Sequence, residues 1–131
     1  MTILVGYVPN AIGAVAVDFG IEEARRRGEP VVVLNTAPGG ELGAQVANEQ
    51  SISGVRRQLA DSGLEHEVLH YTTSGRDAAE ELVHVAEELD VSAIVLGLRR
   101  RTVTGKFLFG STAQRVLLDA NVPVIAVKPA P

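Results

Sequence analysis

Short runs of consecutive apolar residues alternate along this chain with longer stretches in which apolar residues recur every three or four positions. Residues 2–7 form a β-branched and apolar run that stops at Val8-Pro9-Asn10, where proline interrupts a strand and asparagine can cap a helix. Gly13, Ala16, Val17, Gly20, Ile21 and Ala24 then share one helical face, Arg25-Arg26-Arg27 put positive charge in the last turn, and Gly28 is a fitting stop. Val31-Val32-Val33-Leu34-Asn35 is a second continuous apolar run. A strand, a helix and a strand in that order imply a right-handed parallel crossover.

Beyond Thr36-Ala37-Pro38-Gly39-Gly40, which breaks the chain, the pattern from 41 to 61 is less regular. Leu42, Val46, Ile52, Val55 and Leu59 lie on an imperfect helical face with Gly54 inside it, and Ser62-Gly63 ends it. Residues 65–71 read as a strand whose polar positions suit a place nearer the sheet edge, and 72–75 as a turn. Asp77 and Glu80 form a capping pair for a helix with Ala78, Leu82, Val85, Ala86 and Leu89 on its apolar face. Residues 91–96 are a buried strand. Ala113, Val116, Leu117 and Ala120 mark a final helix ended by Asn121, and residues 123–128 are a last strand bounded by prolines. The alternation βαβαβαβαβ predicts an α/β fold over residues 1–131 as one domain, a doubly wound, Rossmann-like parallel sheet with helices on both faces.

Composition agrees with that class. Of 131 residues, 46% are hydrophobic and only 4% aromatic, so small and branched side chains dominate, as close helix-on-sheet packing requires. Twelve basic against sixteen acidic residues give a formal charge of -4, and that field opposes binding to nucleic acid or an anionic membrane. Basic clusters must therefore be explained locally. The absence of cysteine excludes disulfides, thiolate nucleophiles and cysteine-ligated metals. The amino terminus lacks a charged n-region and no segment approaches about 20 apolar residues, so the expectation is a soluble, cytoplasmic protein.

The chemistry concentrates in residues 97–112. A buried strand ends at Gly97, and a basic loop delivers Gly110-Ser111-Thr112 to a helix start. Unpaired amides, the positive end of the helix dipole and a glycine that lets a ligand approach the backbone together make an anion site. Arg99, Arg100, Arg101 and Lys106 allow two readings: they neutralise a polyphosphate, or they form a solvated basic loop in which an arginine fills the phosphate space. Gly105-Lys106 is not a P-loop, because Phe107 follows the lysine and Arg100 stands where the earlier glycine is needed. His66 and His70 are four apart on a strand, too far to chelate, and nothing joins them to His84 in a metal site. Every serine sits in a turn or cap context, so no hydrolytic nucleophile and base are identified. A receiver-like domain shares the alternation and a Lys128-Pro129 pair, yet Tyr7-Val8 and Tyr71-Thr72-Thr73 lack the acids it needs for Mg2+ and phosphoryl acceptance.

The loop resembles the G-x2-G-x9-G-[S/T] motif of nucleotide-binding universal stress proteins. Gly97 matches its first glycine and Gly110-Ser111 its last glycine and hydroxyl, whereas Arg100 replaces the middle glycine. The similarity runs the length of the chain in element order. It implies strand order 3-2-1-4-5 in a five-stranded sheet and a stress-response protein that binds ATP or a related adenine nucleotide, with or without Mg2+, as a binding or regulatory module that at most hydrolyses ATP slowly. On this resemblance Gly97, Gly110, Ser111 and Thr112 hold phosphate, Arg100 and Lys106 supply charge, and Val8, Asn35 and Gly75 line the base side. Many nucleotide binders of the family carry an acid where Val8 stands, and that contact is absent here. The resemblance also implies a homodimer, for which the apolar last strand, Val124, Ile125, Ala126 and Val127, is the candidate edge. The alternative is a nucleotide-independent dimeric interaction module of the same fold, its pocket closed by Val8 and Arg100.

Overall fold

A computed structural model describes residues 1–37, 42–71, 75–100, 107–108 and 110–129, without the side chains of 42–48, 100, 107 and 108. The expected turn at 72–74, the break at 38–40, and Arg101 and Lys106 lie outside the described residues. In chain order the elements are β1 (Ile3–Tyr7), α1 (Ala11–Arg27), β2 (Val31–Asn35), α2 (Leu42–Ser62), β3 (His66–His70), α3 (Ala78–Glu88), β4 (Ala93–Gly97), β5 (Arg99–Arg100), β6 (Phe107–Leu108), α4 (Ser111–Asp119) and β7 (Val124–Val127).

Five strands form one parallel sheet in the order β3-β2-β1-β4-β7, which is 3-2-1-4-5 when only the sheet strands are counted. The apolar runs of β1, β2 and β4 occupy its centre, where both faces are covered. The polar run of β3 is at one edge, with His66 opposite Val31 and His70 opposite Asn35. Because side chains alternate along a strand, each central strand feeds two cores. Ile3, Val5, Tyr7, Val31, Val33, Ala93 and Val95 pack with Ala16, Val17 and Ile21 of α1 and Ile52, Val55 and Leu59 of α2. Leu4, Val32, Leu34, Ile94 and Leu96 face the other way, onto Ala79, Leu82, Val85 and Ala86 of α3 and Val116 of α4.

Local signals set most helix ends. Asn10 caps α1, its side chain accepting from the amides of Ile12 and Gly13 at 3.0 Å each. Gly28 closes α1 in the left-handed region at φ 68°. Asp77 and Glu80 form the expected capping box on α3, with Asp77 accepting from the Glu80 amide at 2.8 Å. Arg115 of α4 also pairs with Asp77, joining the two helices of that face. The Glu80 amide, foremost, and Arg115 hold the Asp77 carboxyl below its ordinary range. The basic cluster at the end of α1 is taken up by its own helix: Arg25 pairs with Glu22, and Arg26 and Arg27 both pair with the buried Glu23.

Two features depart from the sequence expectation. The loop after β4 contains a short antiparallel hairpin, Arg99 opposite Leu108 and Arg100 opposite Phe107. Strands of two residues are too short to carry a period. The last helix ends at Asp119 with Ala120 as its cap, just before Asn121.

Candidate functional site

The chain leaves β1 for α1 on one face of the sheet and leaves β4 for α4 on the other, although β1 and β4 are hydrogen-bonded neighbours. Connections that diverge from adjacent strands leave a crevice beyond their carboxyl ends. A cavity of about 270 Å3 occupies that crevice. Its walls are Gly6 and Val8 at the end of β1, Asn10, Ile12 and Gly13 at the start of α1, and Thr36 after β2. Gly97 and Arg99 come from the end of β4, Gly110, Ser111, Thr112 and Ala113 from the start of α4, and Leu82 and Leu96 form an apolar floor.

Two helix starts therefore face one cavity, and they differ. The first-turn amides of α1 at Ile12 and Gly13 already donate to Asn10. By contrast, α4 has Gly110 as its N-cap and no side-chain cap hydrogen bond. Its first intrahelical donation is from Gln114 to the Gly110 carbonyl at 3.0 Å, so the amides of Ser111, Thr112 and Ala113 precede the helical ladder and lie at the cavity wall. Serine and threonine after a loop would ordinarily be read as caps; here they sit inside the first turn and leave the positive helix end open to an anion.

The glycines have different reasons. A Cβ on Gly97 would lie 2.5 Å from the Ile12 carbonyl oxygen, and one on Gly13 would collide with the Val8 carbonyl, so both allow α1 to start close against β1 and β4. Gly110 has φ -65°, which any residue adopts, and an added Cβ would meet none of the described residues within 4 Å. Nothing in the described protein requires glycine there; a ligand close to the backbone would.

At the end of β1 the polar groups are engaged internally. The Tyr7 carbonyl accepts from the Thr36 amide at 2.9 Å and from the Thr36 hydroxyl at 3.0 Å, and the Val8 carbonyl accepts from the Asn10 amide at 2.8 Å. Among the described residues no carboxylate lines the cavity, and no group of three or more His, Asp or Glu side chains is placed to hold a metal.

The structure thus brings together Val8, Gly97, Gly110, Ser111 and Thr112 of the sequence-predicted site. Asn35 is buried beside the cavity without lining it, and its Oδ1 accepts from the Ala37 amide at 3.1 Å. Gly75, at φ 87°, stands away from the cavity wall. The Arg100 backbone belongs to β5, while its side chain and all of Lys106 lie outside the described residues. Sequence reasoning did not single out Gly13 or the floor residues Leu82 and Leu96 as cavity wall, and the leucines had no signal beyond being core. Thr36 directly follows β2 and so stands at a strand end on the cavity wall.

Comparison with known proteins gives the family and the fold. The model of the universal stress protein family matches residues 1–128. A universal stress protein of Mycolicibacterium smegmatis is 41% identical over 128 residues, spanning 97% of both chains. The structure of a universal stress protein from Archaeoglobus fulgidus superimposes with a TM-score of 0.82 at 35% identity, covering 98% of each chain. A structure of the universal stress protein from the same organism in complex with dAMP gives 0.78 at 32% identity, again over 98% of each chain.

Proposed function

Given that the chain belongs to the universal stress protein family, we propose that it binds an adenine nucleotide, ATP foremost, in the cavity between β1 and β4. The observation that carries this reading is the uncapped start of α4, whose amides at Ser111, Thr112 and Ala113 lie on the wall of a cavity at the switch point of the sheet. The phosphate sits against Gly110, Ser111 and Thr112, with Gly97 below it. Arg100 and Lys106 add charge from the loop. The nucleoside lies over Leu82 and Leu96 toward Val8, on the side of the cavity beside which Asn35 is buried. The complex of a relative with dAMP supports this class of ligand.

The activity proposed is binding in a stress response in the cytoplasm, and the functional unit is a homodimer. β7 is the open edge of the sheet, its four residues only partly buried, and Leu117 and Leu118 of the preceding helix are exposed. Pairing β7 with its copy covers that edge.

Calorimetric titration with ATP, with and without Mg2+, and with AMP and inorganic phosphate tests the assignment. Micromolar ATP binding that weakens as phosphates are removed supports it. No binding of any nucleotide by the folded protein would leave the interaction module, with Val8 and Arg100 closing the pocket, as the function.

A further inference from the structure

Two helices cover the same face of the sheet with unequal grip. Helix α3 buries Ala79, Leu82, Val85 and Ala86, and Leu82 continues into the cavity floor. Helix α4, about two and a half turns long, buries Val116 alone. Ala113 and Ala120 pack beside it with a methyl group each, while Leu117 and Leu118 stay exposed. One buried side chain fixes where a helix meets a sheet, but it leaves the helix free to roll about that point. Arg115 supplies what packing does not. Residues four apart lie one above the other on a helix, so Arg115 stands one turn beyond Ser111, which lines the cavity. From there its guanidinium pairs with the Asp77 carboxylate and comes within 3.8 Å of Glu80 Oε1. Asp77 is the N-cap of α3: its Oδ1 accepts from the Glu80 amide at 2.8 Å, and its Oδ2 meets the arginine. The carboxylate is thus fixed at one oxygen by the start of α3 and holds α4 with the other. A second link, from Asn121 Nδ2 to Glu87 Oε1 at 3.5 Å, lies beyond the end of α4 that faces away from the cavity.

We infer that the ion pair of Asp77 and Arg115 is the positioning contact for α4: it ties the helix start that carries the amides of Ser111, Thr112 and Ala113 to the firmly packed α3, and so sets how tightly the cavity holds an anion. This rests on the nucleotide reading proposed above and goes beyond it in assigning to binding a pair that stands outside the described cavity wall. Positioning and simple charge make opposite predictions at Asp77. Asp77→Asn removes a negative charge from the neighbourhood of an anion, while asparagine still caps α3. If charge at a distance decided, the anion would bind more tightly. If the carboxylate acts by holding Arg115, and through it the start of α4, the anion binds more weakly.

The test is calorimetric titration with ATP at pH 7 of the unaltered protein, Asp77→Asn, Arg115→Gln and the double variant. Each single variant should bind ATP about three- to fivefold more weakly, the range open to an exposed ion pair. The double variant should bind no more weakly than either single one, because losing either partner releases the same helix. A merely structural pair would lower stability and leave the affinity of the folded protein where it was. Affinity that is unchanged or tightened in Asp77→Asn, or losses that add in the double variant, overturns the inference while leaving nucleotide binding intact. Failure of the unaltered protein to bind ATP refutes the nucleotide reading itself and the inference with it. Should Arg115→Gln not fold, the direction of the change in Asp77→Asn decides.

Discussion

The carbonyl oxygen of Ile12 lies 2.5 Å from where a Cβ on Gly97 would be, so the start of α1 and the end of β4 are as close as a glycine allows. Since the obstacle is backbone, it cannot swing aside. Gly97→Ala should destabilise the protein by about 1–3 kcal/mol through overpacking, measured by denaturant unfolding. Unchanged stability would mean that the two elements separate easily, and the cavity they frame would then be far less rigid than the contact implies.

Gly110→Ala should behave in the opposite way. With ordinary backbone angles and none of the described residues near the missing Cβ, the variant should keep its stability within about 0.5 kcal/mol. Nucleotide affinity should fall by about tenfold or more, since the methyl group takes the space a phosphate needs against the backbone. Full affinity in a stable Gly110→Ala protein would place the ligand elsewhere.

Ser111→Ala and Thr112→Ala separate capping from binding. Because no side chain caps α4, neither variant should lose more than about 0.5 kcal/mol of stability. If the hydroxyls meet phosphate, each should lose about 1 kcal/mol of binding by calorimetry. Unchanged affinity in both variants would remove the hydroxyls from the site.

The Asp77 carboxyl is held below its ordinary value of 3.8 by the Glu80 amide and by Arg115. A depressed folded-state value means that the ionised form stabilises the fold. That stabilisation is fully present above pH 3.8 and is lost as pH falls below it through the lower folded-state value. Asp77→Asn should therefore be less stable than the parent at pH 7, and the gap should close on acidification below 3.8, as followed by thermal unfolding across that range. A gap independent of pH would assign the loss to geometry and not to charge.

The dimer proposal has a register-specific test. Ile94 donates to Pro123 and Leu98 to Val127, which directs the odd-numbered residues of β7 toward β4 and leaves the backbone of Val124 and Ala126 facing outward. Ala126→Pro removes an outward N–H without touching the ladder to β4. The unaltered protein should sediment as a dimer at micromolar concentration and Ala126→Pro as a folded monomer. A parent that is itself monomeric refutes pairing through β7.

How far the sequence could be read depended on the length of each signal. The runs at Ile3 to Tyr7, Val31 to Leu34 and Ala93 to Gly97 do not alternate with polar residues because both faces are covered, and the polar His66, Glu67 and His70 put β3 at an edge; both patterns survive folding unchanged. Asn10, Gly28 and Asp77 act locally and did what their residue types suggest. The hairpin of Arg99 and Arg100 with Phe107 and Leu108 was not legible, since it depends on a turn and not on a pattern. Nor was the difference between two helix starts. Asn10 and Ser111 both look like caps, and only the three-dimensional placement of Gly110 ahead of Ser111 shows that one caps and the other does not. Thr36 belongs to the cavity because β2 lies beside β1, a fact of strand order that no single stretch of chain contains.

The open start of α4 also bears on how this protein could lose its ligand. On the proposed reading, the groups that would meet the anion are main-chain amides, present whichever side chains stand at 111, 112 and 113. An alanine scan would leave every one of them in place and would report a site made of small, separable contributions. Only a residue without an amide hydrogen, or a change that moves the helix itself, removes the attraction outright. A capacity to hold an anion there would thus be carried by the winding of the chain at that helix end and be insulated from most single-residue change.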